Sequence, residues 1–324
     1  MIKYVKRNQQ GKGIYILQNL KALDLPSGML DVVLDTDTYN EIDDQFALAY
    51  LLRSDEKLNC RAITAAPFFN SLSTSPEDGM EKSYDEILKL LDLCGRNDLI
   101  PRVFKGSRRY LPNETEPVVS PAAEEIVRLS REYSSEKRLY VVAIGAITNV
   151  ASAILMDKSI IDRIVVVWLG GHALHWKDNR EFNLFQDIAA ARIVFGCGVP
   201  LVQLPCNGVV SAFSLSKPEI EAWLLGANPL CDYLGKNTIE YEDRHGKDRL
   251  WSKTIWDVTA VAWLLNEGCR FMDERIIHAP IPQYDHKYSI SDDTHFIKYI
   301  WNIKRTALFE DLFRKLKKQS KGNI

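Results

Sequence analysis

Short apolar runs alternate with amphipathic segments between residues 29 and 205, and this alternation restricts the possible folds more than any other feature. Runs such as LYVVAIG and RIVVVWLGG have the length and the β-branched content of buried strands. Segments between them, such as MEKSYDEILKLLDL, have the apolar spacing of helices that pack on a sheet. Strands joined by helices form parallel sheets with both faces covered. The sequence therefore predicts an α/β fold with a mainly parallel, Rossmann-like open sheet and helices on both faces.

The two ends of the chain depart from this alternation. After Ser214 the pattern becomes mostly helical, with KPEIEAWLL, TIWDVTAVAWLL and a long C-terminal helix that ends in KLKK. Residues 1–28 are mixed and charged, and we interpret them as an N-terminal extension that packs on the main fold. Because no repeat or low-complexity linker interrupts the remainder, we predict a single domain over residues 29–324 with a helical C-terminal part.

Charge and hydropathy exclude several classes of partner. The chain has 324 residues, with 41 basic and 43 acidic side chains and a net charge of -2, so no overall field attracts nucleic acid or anionic membrane. No apolar run approaches the roughly 20 residues that a membrane-spanning helix needs, and the start MIKYVKRNQQGKG lacks the apolar centre of a secretory signal. We therefore predict a cytoplasmic protein that binds neither nucleic acid nor membrane.

The segment LDTDTYNEIDDQFALAYLL concentrates acidic residues between a predicted strand and a predicted helix. Asp35 and Asp37 lie at the end of the apolar run MLDVVL, and Asp43 and Asp44 open the helical segment. The loop between them brings four carboxylates together, and these repel one another unless a cation collects them. Two acids at a helix start would be explained by the positive end of the helix dipole. Four acids at this junction favour a divalent metal site over a solvated surface loop.

A second polar cluster lies in the loop that follows the run RIVVVWLGG. Asp178 and Asn179 are typical turn residues, which bond to their own backbone. Glu181 and Asn183 flank Phe182, so in an extended segment their side chains point the same way. Carboxylate and amide groups can accept from and donate to the vicinal hydroxyls of a sugar. We therefore predict a polyol-binding site that uses Glu181 and Asn183.

Four more groups are candidates for the same site. Asp257 lies inside the apolar segment TIWDVTAVAWLL, where an acid needs a charged partner, a metal ion or a position at the helix start. His172 and His175 lie in the candidate sugar loop and are potential proton donors. In AIGAITNVASAI, a turn at Gly145 can expose the backbone carbonyl of Ile144.

Four segments, LDTDTYNEIDD, IGAITN, NREFNLFQD and WDVTAVA, resemble in the same order the signatures of the nucleoside hydrolase family, that is, the inosine-uridine preferring type and its relatives. The resemblance extends from about Met29 to the C-terminal helices. It implies a calcium-dependent enzyme that cleaves the N-glycosidic bond of ribonucleosides and releases ribose and the free base. Homo-oligomers, dimers or tetramers, and a role in purine and pyrimidine salvage are expectations from the same resemblance.

The resemblance also implies which residues hold the calcium ion. Asp37 would ligate Ca²⁺ and act as general base toward a bound water, and Asp44 would ligate the ion in bidentate fashion. The backbone carbonyl of Ile144 and the carboxylate of Asp257 would complete the ligands from the protein. Asp35 would support the metal site from the strand.

Contacts with the substrate follow from the same comparison of motifs. Asp43 would bind the 2-hydroxyl of the ribose, and Asp257 would also contact the 3-hydroxyl. Glu181 and Asn183 match the ribose-binding pair of the family. Asn70 is a further candidate for a site asparagine, because it follows the predicted strand ITAA.

The chain departs from the family pattern at two places. Five residues separate the second and third aspartates, two more than usual, so Asn40 and Glu41 become additional candidates for the site. Many members have a histidine, the acid for the leaving base, where this chain has Trp256. Tryptophan stacks on a purine or pyrimidine but does not protonate it. Activation of the base is then left to stacking, to His172 or His175, or to solvent.

Two alternatives remain open at the level of sequence. LDTDT also fits the nucleophile loop of haloacid dehalogenase-type phosphatases, with Asp35 as nucleophile and magnesium as cofactor. Against this alternative, the sequence lacks a downstream GDxxxD-like motif, and Asp43 and Asp44 are left unexplained. The other alternative is a non-catalytic nucleoside or sugar binder, which the tryptophan at position 256 would suit.

Overall fold

The computed structural model of this chain describes residues 19–244 and 249–318. Its centre is an eight-stranded sheet in the order β3-β2-β1-β4-β5-β6-β12-β9. These strands are β1 (Leu30–Thr36), β2 (Leu58–Ala65), β3 (Val103–Lys105), β4 (Leu139–Ala143), β5 (Ile164–Leu169), β6 (Leu201–Leu204), β9 (Met272–His278) and β12 (Phe296–Ile303). All neighbours pair in parallel except β12 and β9. The predicted mainly parallel α/β sheet is confirmed.

Helices cover both faces of this sheet. The labelled α-helices are α1 (Asp43–Leu52), α2 (Pro76–Leu93), α3 (Pro121–Ser130), α4 (Thr148–Met156), α5 (Phe182–Gln186), α6 (Ile188–Gly196), α7 (Lys217–Trp223), α8 (Pro229–Asp243), α9 (Val258–Trp263) and α10 (Arg305–Leu316). The short strand pairs are β7 (Ser214–Ser216) with β8 (Ser252–Thr254) and β10 (Ile281–Pro282) with β11 (Tyr288–Ser289). Alternate residues of β1 face opposite cores, since Val33 packs on one side and Val32 and Leu34 on the other.

Some of the helices begin where the sequence offers a cap followed by proline. The side chain of Ser75 accepts a hydrogen bond from the backbone N–H of Asp78, and Pro76 opens α2. Ser120 caps α3 in the same way, with Pro121 in the first turn. A cap of this kind satisfies one orphan N–H, and proline has no N–H to lose. The starts of α2 and α3 are therefore specified by the residues at the starts themselves.

The chain after Ser214 contains more strand than the sequence pattern indicated. The predicted helices are present, but β9 and β12 add two long strands to the sheet. β9 is an edge strand whose central residues are charged or half-exposed, and Glu274 on β9 forms an ion pair with Lys298 on β12. Charged side chains at these positions hide the alternation typical of a strand. The description of this part as mostly helical was therefore incomplete.

The N-terminal prediction can be followed only in part. Residues 1–18 of the proposed extension lie outside the described residues. Beyond them, Leu23 is fully buried in the main core, and the side-chain amide of Asn19 donates to the backbone carbonyl of Gly198 at 3.3 Å. None of the helices in residues 19–244 and 249–318 combines the length and the apolar character needed to cross a bilayer.

The strand order positions a ligand crevice. The chain runs outward from β1 to β3 and then crosses back to β4 on the other side of β1. Loops after β1 and β4 therefore diverge at this switch point, and open α/β sheets bind ligands there, outside the carboxyl ends of the strands. Asp37 is the first residue after β1, and Ile144 is the first residue after β4.

A buried polar network fastens the last helix to α1. The hydroxyl of Tyr50 donates to Asp311 at 2.6 Å, and Lys315 lies 3.6 Å from the same carboxylate. The ammonium of Lys315 also donates to Ser54 at 2.9 Å and forms an ion pair with Glu56 at 2.9 Å. Burial opposes ionisation of Asp311, but the hydrogen bond from Tyr50 and then the charge of Lys315 hold its pKa below the usual value. The network thus holds α10 against α1 and the turn that follows α1.

Replacement of Asp311 tests this network. We expect Asp311→Ala to lower the free energy of unfolding by about 3 kcal/mol, because a buried lysine and a tyrosine hydroxyl lose their shared acceptor. Glu310→Ala is the matched control, since this neighbouring side chain is exposed. Its effect should stay within about 0.5 kcal/mol. Urea unfolding of both variants gives the comparison, and equal midpoints would show that the network does not stabilise the fold.

Candidate functional site

Three carboxylates from distant parts of the chain meet at the switch point. Asp43 and Asp44 occupy the first turn of α1, and Asp257 immediately precedes α9, which packs on α1. One oxygen of each side chain lies within 4.8 Å of the others, and all three residues are buried. The backbone N–H of Asp257 donates to the carboxylate of Asp43 at 3.3 Å. The side chain of Asp257 forms no capping bond, so the helix start does not account for this acid.

The end of β1 contributes two more carboxylates beneath this cluster. Asp37 is 1 % exposed, and neither of its carboxylate oxygens has a hydrogen-bond partner among the described residues. Asp35 is fully buried, and one of its oxygens accepts from Thr64 at 2.6 Å and from Asn149 at 2.8 Å. Thr36, between them, donates to Asp44 at 2.5 Å. Hydrogen bonds at the strand end thus fix Asp35 and one acid of α1.

Burial makes this group of acids hard to ionise. Burial, followed by the charge of Asp44, raises the pKa of Asp37 well above its usual range. Burial and then Glu41 raise the pKa of Asp43, and burial and then Asp43 raise that of Asp257. The pKa of Asp44 rises to about 7, again mainly through burial. Four carboxylates with these pKa values share protons or bind a cation.

Burial also raises the pKa of Asp35, to about 6. Hydrogen bonds from Asn149 and Thr64 partly oppose that shift. The carboxyl group of Asp35 therefore belongs to the strand-end network rather than to the group that faces the crevice.

The donor set fits a hard divalent cation. Asp37 offers two unpartnered oxygens and Asp43 offers one, within the described part of the chain. All candidate ligands are oxygen atoms, which calcium and magnesium prefer over nitrogen or sulfur. Gly145 leaves the space for them, because a Cβ at this position would lie 2.9 Å from a carboxylate oxygen of Asp37.

A cavity of about 620 Å³ opens above the carboxylates. This volume lies within the range of about 300–1,000 Å³ that is usual for small-molecule sites. Of the site residues predicted from sequence, those that line it are Asp43, Asp44, Asn70, Ile144, His172, Glu181, Asn183, Trp256 and Asp257. Asp35 and Asp37 lie behind this wall, and His175 is exposed outside the cavity and packs edge-on against Trp176.

Backbone groups already form hydrogen bonds with both side chains of the predicted ribose-binding pair, Glu181 and Asn183. Glu181 caps α5, and its carboxylate accepts from the backbone N–H groups of Gly171, Asn183 and Leu184 at 2.8–2.9 Å. The side-chain amide of Asn183 donates to the carbonyls of Ile144 at 3.0 Å and Leu169 at 3.1 Å. Both side chains thus hold the loops after β4 and β5 in place while they line the cavity.

The longer acidic loop places its extra residues in the cavity wall, as the sequence analysis had considered. Asn40 accepts a hydrogen bond from the amide of Asn70 at 2.6 Å. Glu41 forms an ion pair with Lys253, which is 5 % exposed. Lys253 is thereby held near Asp43, and its positive charge partly opposes the rise in the pKa of that carboxyl.

Other cavity residues escaped the sequence analysis. Asn207 follows β6, and its backbone N–H donates to Nδ1 of His172 at 3.3 Å. Its position after the run PLVQLP could have identified it, because every strand of the parallel sheet ends at the same edge. Tyr241 and Arg244 line the cavity from the end of α8. No local pattern marks these two residues, since packing over long sequence distances brings α8 to the site.

Comparison with known proteins decides the family. A family model described as inosine-uridine preferring nucleoside hydrolase matches residues 32–298, which is most of the chain. The chain belongs to the nucleoside hydrolase family. It is accordingly a hydrolase that acts on the N-glycosidic bonds of ribonucleosides, and the family depends on a metal ion.

Individual relatives agree with this assignment. A pyrimidine-specific ribonucleoside hydrolase RihA from Citrobacter koseri is 27 % identical over 262 residues, which cover 73 % of this chain and 79 % of that protein. A plant nucleoside hydrolase, the PpNRh1 enzyme, has the same fold with a TM-score of 0.72 and 19 % identity, over 90 % of this chain and 99 % of that one. A purine-preferring ribonucleoside hydrolase from Gardnerella vaginalis gives a TM-score of 0.71 and 20 % identity, over 89 % and 98 %.

Membership in the nucleoside hydrolase family removes the phosphatase alternative. The family assignment covers the whole region of the acidic motif. In addition, Asp35, the nucleophile that a phosphatase would need, is fully buried and bonded to Thr64 and Asn149. A nucleophile must reach its substrate. The LDTDT motif therefore serves the nucleoside hydrolase site.

Gly145 offers a test of how closely the site is packed. We expect Gly145→Ala to displace the carboxylate of Asp37 and to lower kcat/KM for nucleosides at least about tenfold, because small misplacements of reacting groups are costly. Gly196→Ala is the matched control, since nothing lies within 4 Å of a Cβ added there. Steady-state kinetics of both variants decide the matter. Equal rates would mean that the carboxylate moves aside without consequence.

Proposed function

We propose that this nucleoside hydrolase uses Ca²⁺ and that Asp37, Asp44, Asp257 and the carbonyl of Ile144 hold it, with Asp35 as a supporting acid. The observation that carries this proposal is the group of buried carboxylates with unpartnered oxygens at the base of the cavity. Calcium accepts six to eight oxygen ligands in a flexible geometry, which suits side chains from three separate segments. When bound, it polarises a water molecule and lowers the pKa of that water.

Asp37 is proposed as the general base. Neither of its carboxylate oxygens has a hydrogen-bond partner among the described residues, so the ionised carboxylate can accept the proton that the water gives up. The hydroxyl of the water adds to C1 of the ribose, the C1–N bond breaks, and the base leaves with a proton. Positive charge develops on the ribose during this step, and the surrounding carboxylates stabilise it.

Other cavity residues are proposed to orient the ribose. Asp43 has one oxygen without a partner in the described residues, which can accept from the 2-hydroxyl. Asp257 is proposed to contact the 3-hydroxyl, and Asn70 to border the ribose from the loop after β2. One oxygen of Glu181 accepts a single backbone N–H, so it retains capacity for a ribose hydroxyl beside Asn183. These contacts supply position rather than a nucleophile.

The base is proposed to stack on Trp256, which lines the cavity and is half-buried. Burial lowers the pKa of His172, so its imidazole is mainly neutral at pH 7 and serves as a hydrogen-bonding group rather than a strong acid. His175 lies outside the cavity wall, which argues against direct contact with substrate. A cytoplasmic location, a role in purine and pyrimidine salvage, the division into residues 1–28 and 29–324 and a dimer or tetramer remain predictions.

A sugar-release assay tests the proposal. Purine and pyrimidine ribonucleosides are incubated with the protein, and free ribose is measured with a reducing-sugar reagent. We expect ribose from at least one nucleoside, loss of this activity after treatment with a calcium chelator, and recovery when Ca²⁺ is restored. Saturable nucleoside binding without products would favour a non-catalytic binder instead. Recovery with Mg²⁺ but not with Ca²⁺ would contradict the proposed metal.

The role of Asp37 is tested by Asp37→Asn. We expect kcat to fall by about 10²- to 10⁴-fold, the usual contribution of a general base, while the circular dichroism spectrum is retained. Asp31→Asn is the matched control, because Asp31 lies on the same strand but at its opposite end, and is half-exposed. Near-native turnover by the Asp37 variant would refute its assignment as the base.

A further inference from the structure

The cavity contains a region rich in hydrogen-bond donors that the proposed reaction does not use. It is formed by the loops after β5 and β6 and includes His172, Arg180 and Asn207. The backbone N–H of Asn207 donates to Nδ1 of His172, so the proton of the neutral imidazole lies on Nε2. The side-chain amide of Asn207 lies 3.4 Å from that Nε2. We call these three residues the donor region.

Arg180 is the cationic member of the donor region. Its guanidinium is exposed and lies 5.6 Å from the centroid of the Phe185 ring, which restrains it at the cavity wall. Asp178 accepts from the backbone N–H of Arg180 at 3.1 Å, while its carboxylate lies 3.9 Å from the ammonium of Lys177. In the part of the chain that the structure describes, the Arg180 guanidinium forms no ion pair. It is therefore available to an anionic ligand.

The neighbouring acid forms no ion pair with this arginine in the described residues. Glu181 directs both oxygens at backbone N–H groups of the loop and of α5, at 2.8–2.9 Å. Asn183 uses its amide protons on two backbone carbonyls. Both residues therefore stabilise the wall. Among the described residues, the donor region beside them has no partner that offers several hydrogen-bond acceptor atoms. Phosphate is such a group, and the planar guanidinium of arginine binds it in bidentate fashion.

The order of the strands indicates which part of a nucleoside meets the donor region. Asp37 follows β1, and β5 and β6 lie two and three positions further along the sheet, about 5 Å per strand. In a ribofuranose, C1 and C4 flank the ring oxygen, so the base and the 5-carbon leave the ring in opposite directions. With the hydroxyls over the carboxylates and the base on Trp256, as proposed above, the loops after β5 and β6 form a wall of the same cavity that is left for the 5-carbon.

We propose that the preferred substrates are ribonucleosides that carry a phosphate on the 5-oxygen, with Arg180 as the phosphate-binding residue. The Asn207 amide and Nε2 of His172, which lie 3.4 Å apart, add neutral hydrogen-bonding capacity as a pair. This inference rests on the proposed function and leaves its chemistry unchanged. Water adds its hydroxyl to C1, the C1–N bond breaks, and the base leaves with the proton. The phosphate ester stays intact, so the products are the free base and ribose 5-phosphate.

Kinetics with paired substrates test the proposal. Release of free base is followed by chromatography for uridine, cytidine, inosine and adenosine and for their 5-monophosphates. For each base that is released, we expect kcat/KM for the monophosphate to exceed that for the nucleoside at least about tenfold. Arg180→Gln should reduce this ratio about 10- to 100-fold, which corresponds to one charge-assisted contact. A wild-type preference for unphosphorylated nucleosides would overturn the inference while leaving the proposed hydrolase intact.

Arg244→Gln is the matched variant, because Arg244 also lines the cavity but comes from the end of α8. If this substitution, rather than Arg180→Gln, reduces the ratio, the assignment of the phosphate to the donor region is wrong. Calorimetric titration with ribose 5-phosphate and with ribose provides a readout without turnover. Tighter binding of ribose 5-phosphate that Arg180→Gln weakens at least tenfold supports the inference, even if no substrate is hydrolysed. Equal binding of the two sugars, or no effect of the substitution, contradicts it.

Discussion

Mutual repulsion among buried carboxylates is the constraint on which the site of this nucleoside hydrolase depends. Asp37, Asp43, Asp44 and Asp257 are almost fully removed from water, and burial raises the pKa of each. Such a group is unfavourable unless protons or a cation neutralise it. The fold supplies the rigidity that the arrangement needs, because a strand end, a helix start and a second helix that packs on the first hold the acids in place.

The sequence predicted the sheet and the position of most of the clustered carboxylates because both depend on local patterns. Apolar runs predicted β1 to β6, and the acidic motif predicted the positions of Asp37, Asp43 and Asp44 at the carboxyl edge. The sequence patterns did not predict the features that depend on packing between residues far apart in the chain. β9 and β12 carry charges that pair across the sheet edge, and α8 reaches the cavity only because the C-terminal part folds over the sheet. No local signal marks Tyr241 or Lys253.

Glu181 both lines the cavity and caps α5. The sequence predicted that Glu181 binds a sugar, and the carboxylate of Glu181 does line the cavity. However, three backbone N–H groups of its own loop and of α5 also end on this carboxylate. Glutamate is not among the favoured capping residues, so the cap could not be read from propensity alone. One oxygen of Glu181 keeps capacity for a further donor, and the proposed contact with phosphate is left to Arg180 beside it.

The separation of Asp43 and Asp257 by 214 positions has a consequence for biosynthesis. A ribosome delivers Asp43 first, and Asp257 follows only 214 positions later. Until then the incomplete set should attract a divalent ion weakly, since a preformed metal site rarely exists in an unfinished chain. Capture of the ion would then report the packing of α9 on α1, and chains that end before Asp257 would stay inert toward nucleosides.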